Sequence, residues 1–217
     1  MTGFTGIKRI FLFLLAGLFL AATPLAADDS ELDIILAQLK AAAAQVQTLQ
    51  SSFVQEKNLE MFDHRLISTG AMIYAEPDQL RWELLSPVAS GFALRGEQGV
   101  RWSAVSGQVQ RFSIGSDPLM GVVAQQLLAW ARVDLEWLEQ GYGMEVIDNE
   151  PIVLRLTPLD TAEAELVNYI QVTFAPLQGH VSDVLVMEQS GDSTRLRFED
   201  VRINDRVAAG AFVPPEY

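Results

Sequence analysis

The chain has 217 residues, no cysteine and a formal net charge of −13 at pH 7. Disulfides and cysteine-ligated metals are excluded, and such an acidic chain does not suit nucleic acid or anionic headgroups, which require basic patches. The length suits one domain with its own hydrophobic core.

The first segment of the chain predicts export. Two basic residues, Lys8 and Arg9, precede an apolar run that ends in small residues at Ala27. This is the pattern of a secretory signal peptide, and the run is too short and wrongly flanked for a stable membrane span. We therefore expect a cleavable signal peptide over residues 1–27 and a single domain over residues 28–217. The alternative is an uncut N-terminal anchor. Export without disulfides suits a bacterial periplasm.

Residues 28–50 predict an amphipathic helix that packs on a sheet. Asp29 and Ser30 can cap its start, and apolar residues recur along one side at helical spacing. This apolar stripe consists of Leu32, Ile35, Leu36, Leu39, Ala43, Val46 and Leu49.

After residue 50 the chain alternates between short runs of β-favouring residues and turn residues. The connections leave no room for crossover helices, so the sheet should be antiparallel. The predicted strands cover residues 53–61, 65–74, 79–85, 91–95, 100–105, 108–114, 143–147, 152–157, 167–175, 181–189 and 194–201.

The hairpin over residues 70–87 shows the clearest alternation. Its two strands are joined by a turn at residues 76–78, and the second strand has one apolar and one polar face. The apolar face carries Leu80, Trp82 and Leu84, and the polar face carries Arg81 and Glu83. Whatever covers the apolar face, core or ligand, decides what the protein does.

Residues 117–140 interrupt the strands with a second helical segment. Asp117 suits the N-cap and Pro118 suits the first helical position. The segment is apolar almost all round until Arg132, and a break is predicted near Val133 and Asp134. A helix of this kind must be covered on more than one side.

These elements predict an α+β fold. The antiparallel sheet of about eleven strands should curl, because sheets twist. The N-terminal helix and the helical insertion should pack against its concave side.

The apolar faces of the sheet and of the helical insertion can pack as core or can line a cavity for a ligand. Methionines supply adaptable contacts and tryptophans supply area. Periodicity identifies the apolar faces without showing what fills them, so plain core packing remains the alternative for each residue. The candidate cavity residues are Met72, Tyr74, Leu80, Trp82, Leu84, Trp102, Met120, Val123, Leu127, Trp130 and Trp137.

The sequence contains no motif that is typical of catalysis. The two histidines, His64 and His180, lie far apart in sequence, and no metal-binding or nucleophile motif is present. The acidic residues Asp160, Glu163 and Glu165 predict a solvated loop. We therefore expect no enzyme activity, no cofactor and no metal.

Short motifs spread over nearly the whole of residues 28–217 carry a family resemblance. In order and spacing they resemble the LolA family, the periplasmic carriers that ferry lipoproteins toward the outer membrane. The matching pieces are Phe53-Val54-Gln55 with Lys57, then Gly70, Pro77, Trp82 and Pro87, then Gly99-Val100-Arg101-Trp102, and finally Phe212-Val213-Pro214-Pro215.

The resemblance implies an open half-barrel, closed by lid helices, whose hydrophobic cavity holds acyl chains. It implies transfer without covalent chemistry, by a monomer that contacts membranes only transiently. An inner-membrane ABC transporter would load this carrier, and an outer-membrane receptor would unload it.

One position departs from the family pattern. In the family an arginine precedes the turn proline and pins the lid through hydrogen bonds, whereas this chain has Glu76. A carboxylate cannot donate to helix carbonyls, so the same latch is not available. The chain also stops at Tyr217, just after the Pro-Pro pair, and we expect a divergent branch. Its cargo is a lipoprotein or, alternatively, a glycolipid or aryl-polyene-type lipid. A further alternative is a lipid-sensing or protein-binding module on the same fold.

Overall fold

The computed structural model describes residues 29–61, 65–176 and 179–215. The predicted signal peptide over residues 1–27 lies outside the described residues. Within these three ranges, no helix has both the length and the apolar character needed to cross a membrane.

Strands make up most of the described chain. They are β1 (Thr48–Asn58), β2 (Arg65–Ala75), β3 (Gln79–Ser86), β4 (Ser90–Arg95), β5 (Gln98–Ser103), β6 (Gln108–Ser113), β7 (Tyr142–Asn149), β8 (Ile152–Pro158), β9 (Val167–Phe174), β10 (Val181–Glu188) and β11 (Ser193–Ile203). They form one eleven-stranded sheet in the order β6-β5-β4-β3-β2-β1-β11-β10-β9-β8-β7. All of its strand pairs are antiparallel, as the short connections predict.

Four helices accompany the sheet in the described part of the chain. They are α1 (Asp29–Ala43), α2 (Pro118–Arg132), α3 (Leu135–Gly141) and α4 (Thr161–Ala164). The predicted break in the lid is confirmed, because Val133 adopts a left-handed conformation (φ 51°) between α2 and α3. The carboxylates of Asp117 and Asp134 cap the two helices by accepting from the backbone N–H groups of Met120 and Trp137.

The sheet is open, and its connectivity places the lid. Strands β6 and β7 are the two edges of the sheet. The chain between them contains α2 and α3, so this connection has to cross from one edge to the other. The crossing helices cover the concave face and bury Leu127, Leu128, Trp130 and Leu138 in the core. The predicted α+β incomplete barrel is confirmed.

The first helix is shorter than its apolar stripe predicts. Helix α1 ends at Ala43, and β1 begins at Thr48. In β1 burial alternates through Leu49, Ser51 and Phe53, which is a strand pattern. Because β1 pairs with β2 on one side and β11 on the other, tertiary pairing overrides the helical continuation.

The acidic segment after Pro158 also differs from the prediction. It contains the short helix α4, which Asp160 caps by accepting from the backbone N–H groups of Ala162 and Glu163. An aspartate at this position satisfies donors that a helix start leaves free, so the same residues that predict a loop begin a helical turn.

The face of the sheet opposite the lid carries charged pairs. Arg195 Nε lies 2.7 Å from Asp183 Oδ2, and Arg197 contacts the carboxylate of Glu56. Arg195 and Arg197 therefore belong to the polar face.

The C-terminal segment packs against this polar face as turns and bends. Arg81 Nη1 donates to the carbonyl oxygens of Ala211 at 3.1 Å and Val213 at 2.7 Å. The guanidinium of Arg95 lies 5.7 Å from the ring centroid of Phe212. These contacts hold the tail on the far side of the sheet from the lid.

Candidate functional site

The concave face beneath α2 is apolar and almost closed. A void of about 10 Å³ remains there, lined by Leu49, Met72, Leu127, Trp130, Ala131, Val181 and Phe198. Three of the predicted cavity residues therefore meet at one place, namely Met72 from β2 and Leu127 and Trp130 from α2. Tyr74 and Leu80 pair across β2 and β3 on the same face, and both are buried.

An aromatic cluster forms the wall beside this void. The rings of Phe53 and Trp82 stack with centroids 4.0 Å apart, and Phe198 meets both rings edge-on. Leu84 and Trp137 are partly buried against the same core. Offset and edge-on ring pairs add about 0.5–1.5 kcal/mol each beyond their buried area, so this wall is well packed.

The prediction that Trp102 faces the cavity is wrong. In the strand register Trp102 pairs with Gly91, which pairs with Glu83, so Trp102 shares the face of Glu83 and not that of Trp82. The guanidinium of Arg81 lies 4.8 Å from the centroid of its ring. Trp102 is buried on the polar side of the sheet as a cation–π partner. Alternation along one strand shows which residues share a face of that strand. It does not show on which side of the sheet that face lies, because the register with the neighbouring strands decides this.

The first turns of α2 are exposed, whereas the apolar pattern predicts a helix that is covered on more than one side. Leu119 and Val122 are 70% and 67% exposed, and the predicted cavity residue Val123 is 37% exposed. Met120 is partly buried against the core. Only the second half of α2 packs fully on the sheet, so Val123 does not line the void in this closed arrangement.

Several residues around the void were not predicted from the sequence to belong to the site. Phe53 and Phe198 face each other in the β1–β11 register, and Leu49 lies further along the same strand pair. The alternation Leu49, Ser51, Phe53 was the signal that could have found them, but the helical stripe concealed it. Val181 offered no such pattern.

A polar groove of about 300 Å³ lies where the lid meets α1 and the β2–β3 turn. It contains the position of the family's latch, Glu76, together with Arg132 and Asp134 from the α2–α3 junction. Arg132 Nη2 lies 3.1 Å from Asp134 Oδ2. Lys40 of α1 contacts Glu136 of α3, and this exposed ion pair ties the first helix to the lid.

The groove also borders Tyr74, whose ring is buried. Burial raises the pKa of its phenol to about 12, the carboxylates of Glu76 and Asp78 add to the rise, and Arg132 opposes it. Tyr74 is therefore neutral at any physiological pH and acts as a wall between the groove and the core.

A second polar contact joins the lid to the sheet edge. The hydroxyl of Tyr142 on β7 lies 2.5 Å from Glu163 Oε1 of α4 and 3.2 Å from the side-chain amide oxygen of Gln126 on α2. Burial, and then the hydrogen bond to Glu163, raise the pKa of the Tyr142 phenol. The lid is therefore tied by a few polar contacts, at Gln126 in α2 and at Glu136 in α3. Elsewhere it is held by apolar packing.

The described part of the chain contains no cluster of three or more histidine, cysteine, aspartate or glutamate side chains placed to hold a metal ion.

Comparison with known proteins identifies the fold and the family. Residues 44–215 match the family model described as "Outer membrane lipoprotein carrier protein LolA". The chain belongs to the LolA family. The resemblance of its short motifs is thereby confirmed, and proteins of this family are periplasmic.

Two curated relatives, each named outer-membrane lipoprotein carrier protein, support the LolA assignment. The protein from Halorhodospira halophila is 28% identical over 199 residues, covering 84% of this chain and 88% of the relative. The one from Pseudoalteromonas translucida is 24% identical over 215 residues, covering 96% of this chain and 94% of the relative.

A crystal structure shares the LolA-like fold of this chain. It is that of a conserved protein from Thermus thermophilus, with a TM-score of 0.54 and 8% identity, covering 86% of this chain and 95% of that one. At this identity the similarity shows the fold alone.

Proposed function

We propose that the protein is a periplasmic carrier that shields the acyl chains of a lipoprotein between the concave face of its sheet and the lid formed by α2 and α3. The observation that supports it most directly is the meeting of Met72, Leu127 and Trp130 around one apolar void beneath a helix that bridges the open sheet. Its two curated relatives bear the name of lipoprotein carriers. Binding and release involve no covalent chemistry, and the carrier acts as a monomer.

The closed arrangement cannot hold cargo, so carrying requires the lid to move. Ligand pockets usually enclose about 300–1,000 Å³, whereas the void beneath α2 measures about 10 Å³. An acyl chain must therefore displace the second half of α2. The acyl chain then replaces the contacts that α2 makes with the sheet. Little apolar surface therefore meets water in either the empty or the loaded state.

The ties on the lid are weak enough for cargo to compete. The pairs Lys40–Glu136 and Arg101–Asp117 are partly or fully exposed, and water screens exposed ion pairs so strongly that they add little stability. Burying one CH₂ group gains about 0.8 kcal/mol, so the burial of a few methylenes outweighs these ties. By family membership, an inner-membrane ABC transporter would load this carrier and an outer-membrane receptor would unload it.

A lid-locking experiment tests the proposal. The exported protein carries cysteines at positions 40 and 136 (K40C/E136C), joined by a reducible bis-maleimide linker across the α1–α3 contact. The matched control is R195C/D183C, which joins another contacting ion pair on the opposite face of the sheet. Each protein is incubated with a diacylated lipopeptide and analysed by native mass spectrometry.

We expect the locked lid to exclude the lipopeptide, the control to bind it, and reduction of the linker to restore binding. Equal binding by the locked and control proteins would refute a cavity beneath the lid. Native mass spectrometry of the wild-type protein purified from cells identifies the cargo. A bound glycolipid or polyene ester with no diacylated peptide would replace the lipoprotein with the alternative cargo.

A further inference from the structure

Among the buried polar side-chain atoms that have no hydrogen-bond partner in the described residues are Nε1 of Trp130 and Oγ of Ser51. Both residues are only 7% exposed. A buried donor or acceptor without a partner is destabilising, because it has given up its hydrogen bonds to water. Buried polar groups in folded proteins are nearly always paired, so two orphans in one core require an explanation.

One of the two groups lies on the lid and the other on the sheet face that the lid covers. Trp130 belongs to the lid and lines the void beneath α2. Ser51 is buried on β1 between Leu49 and Phe53, beside the void. Leu49 on the same strand and Met72, the cross-strand partner of Ser51 on β2, both line the void. Lid and sheet therefore each contribute one buried donor at or beside the place that we assign to the acyl chain.

We propose that Trp130 Nε1–H and Ser51 Oγ–H bind the carbonyl oxygen of a neutral ester or amide, the group that links an acyl chain to its headgroup. This inference rests on the proposed carrier function. A carbonyl oxygen has two lone pairs and can accept from both groups. When an acyl chain enters the interior, its ester carbonyl loses water, and these two donors replace that water.

The chemistry of the site selects among lipids. The seven residues that line the void are all uncharged. A free fatty acid would bring a carboxylate, which is costly to bury without a cation. An ether lipid or a plain hydrocarbon offers no comparable acceptor and leaves both donors unsatisfied. The site therefore favours neutral acyl esters and amides over fatty acid anions and ethers.

The test compares two lipids that differ in one carbonyl group, 1-monopalmitoylglycerol and 1-O-hexadecylglycerol. Their affinities are measured by displacement of a fluorescent acyl probe from the full protein. We expect the wild type to prefer the ester by about tenfold, which corresponds to the ~1.4 kcal/mol typical of a paired buried group. Palmitate should bind more weakly than the ester.

Three variants separate the carbonyl contact from general packing. Trp130→Phe keeps an aromatic ring but removes the N–H group, and Ser51→Ala removes the hydroxyl. Each should reduce the ester preference to about threefold or less, with the affinity for the ether within about twofold of wild type. Trp102→Phe is the matched control, because Trp102 lies on the opposite, polar side of the sheet, and it should leave the preference unchanged.

Equal wild-type affinities for ester and ether, or an ester preference that survives both substitutions, would overturn the inference while leaving the carrier function intact. Failure of both lipids to bind would overturn the carrier function as well. If Trp130→Phe does not fold, Ser51→Ala alone decides, because removing a small hydroxyl leaves the packing of the aromatic wall in place.

Discussion

Replacing Glu76 by arginine tests how the lid is held shut. Glu76 borders the groove of about 300 Å³ at the end of α2, close to Arg132 and Asp134. The C-terminus of a helix carries partial negative charge, so the carboxylate of Glu76 is repelled by the end of α2. The positive charge of Arg132 offsets that repulsion. An arginine at position 76 would supply both positive charge and N–H donors, and we expect it to stabilise the closed lid.

The size of this effect follows from the charges in the groove. A charge at a helix terminus contributes about 0.3–1 kcal/mol, so reversing its sign changes the closing free energy by about 0.6–2 kcal/mol. Losing the attraction between position 76 and Arg132 subtracts about 0.2–1 kcal/mol, the usual value for an exposed pair. Taken at corresponding ends of the two ranges, the net gain of about 0.4–1 kcal/mol slows cargo release by about 2- to 5-fold.

Release is measured by stopped-flow transfer of a fluorescent acyl probe from the protein to vesicles. Asp78→Arg is the matched control, because it makes the same charge change in the same turn but its carboxylate faces Gly96 and does not border the groove. In about 1 M salt, where the screening length is ~3 Å, the effect of Glu76→Arg should shrink. Unchanged release, or equal slowing by Asp78→Arg, would refute the reasoning.

Three further substitutions probe the lid and its surroundings. Tyr142→Phe removes the hydroxyl that joins β7 to Gln126 and Glu163. Urea denaturation should show that the free energy of unfolding falls by about 1–2 kcal/mol. Wild-type stability would mean that the hydrogen bonds of the Tyr142 hydroxyl contribute nothing. Trp130→Asp should abolish binding of the acyl probe while the far-UV circular dichroism spectrum of the sheet persists, whereas global unfolding would make Trp130 a core residue only. The pKa of Tyr74 is raised to about 12 from an ordinary value near 10, so its neutral form contributes stability that is complete below pH 10 and lost as the pH rises through 12. Tyr74→Phe should remove part of that alkaline loss in thermal melts, and an identical profile would assign the loss to other groups.

Much of the sheet could be read from local patterns. The alternation of Leu80, Trp82 and Leu84 correctly predicted one buried and one polar face in β3, and the short connections correctly predicted antiparallel pairing. Capping residues located the lid equally well, since Asp117 and Asp134 begin α2 and α3. These features depend on contacts within a few residues, and such contacts are the ones that sequence spacing encodes.

The errors came where long-range pairing decides. The stripe from Leu32 to Leu49 satisfies helical spacing throughout, yet β1 takes its last member because β2 and β11 pair on either side of it. Trp102 has the right type and the right alternation for a cavity residue. Its face is set by the registers of β3, β4 and β5, which no single strand reveals.

The order of residues by itself determined a cysteine-free α+β protein of the LolA family and predicted its export, because capping, alternation and family motifs are all local. The tertiary structure decided which residues surround the void, how nearly closed it is, and that Ser51 and Trp130 present unpaired polar atoms to the core. The physical reason is that burial and hydrogen-bond satisfaction depend on what lies opposite a side chain. In a sheet closed by a crossing helix, the opposing group can be about eighty residues away in sequence, as Ser51 and Trp130 show.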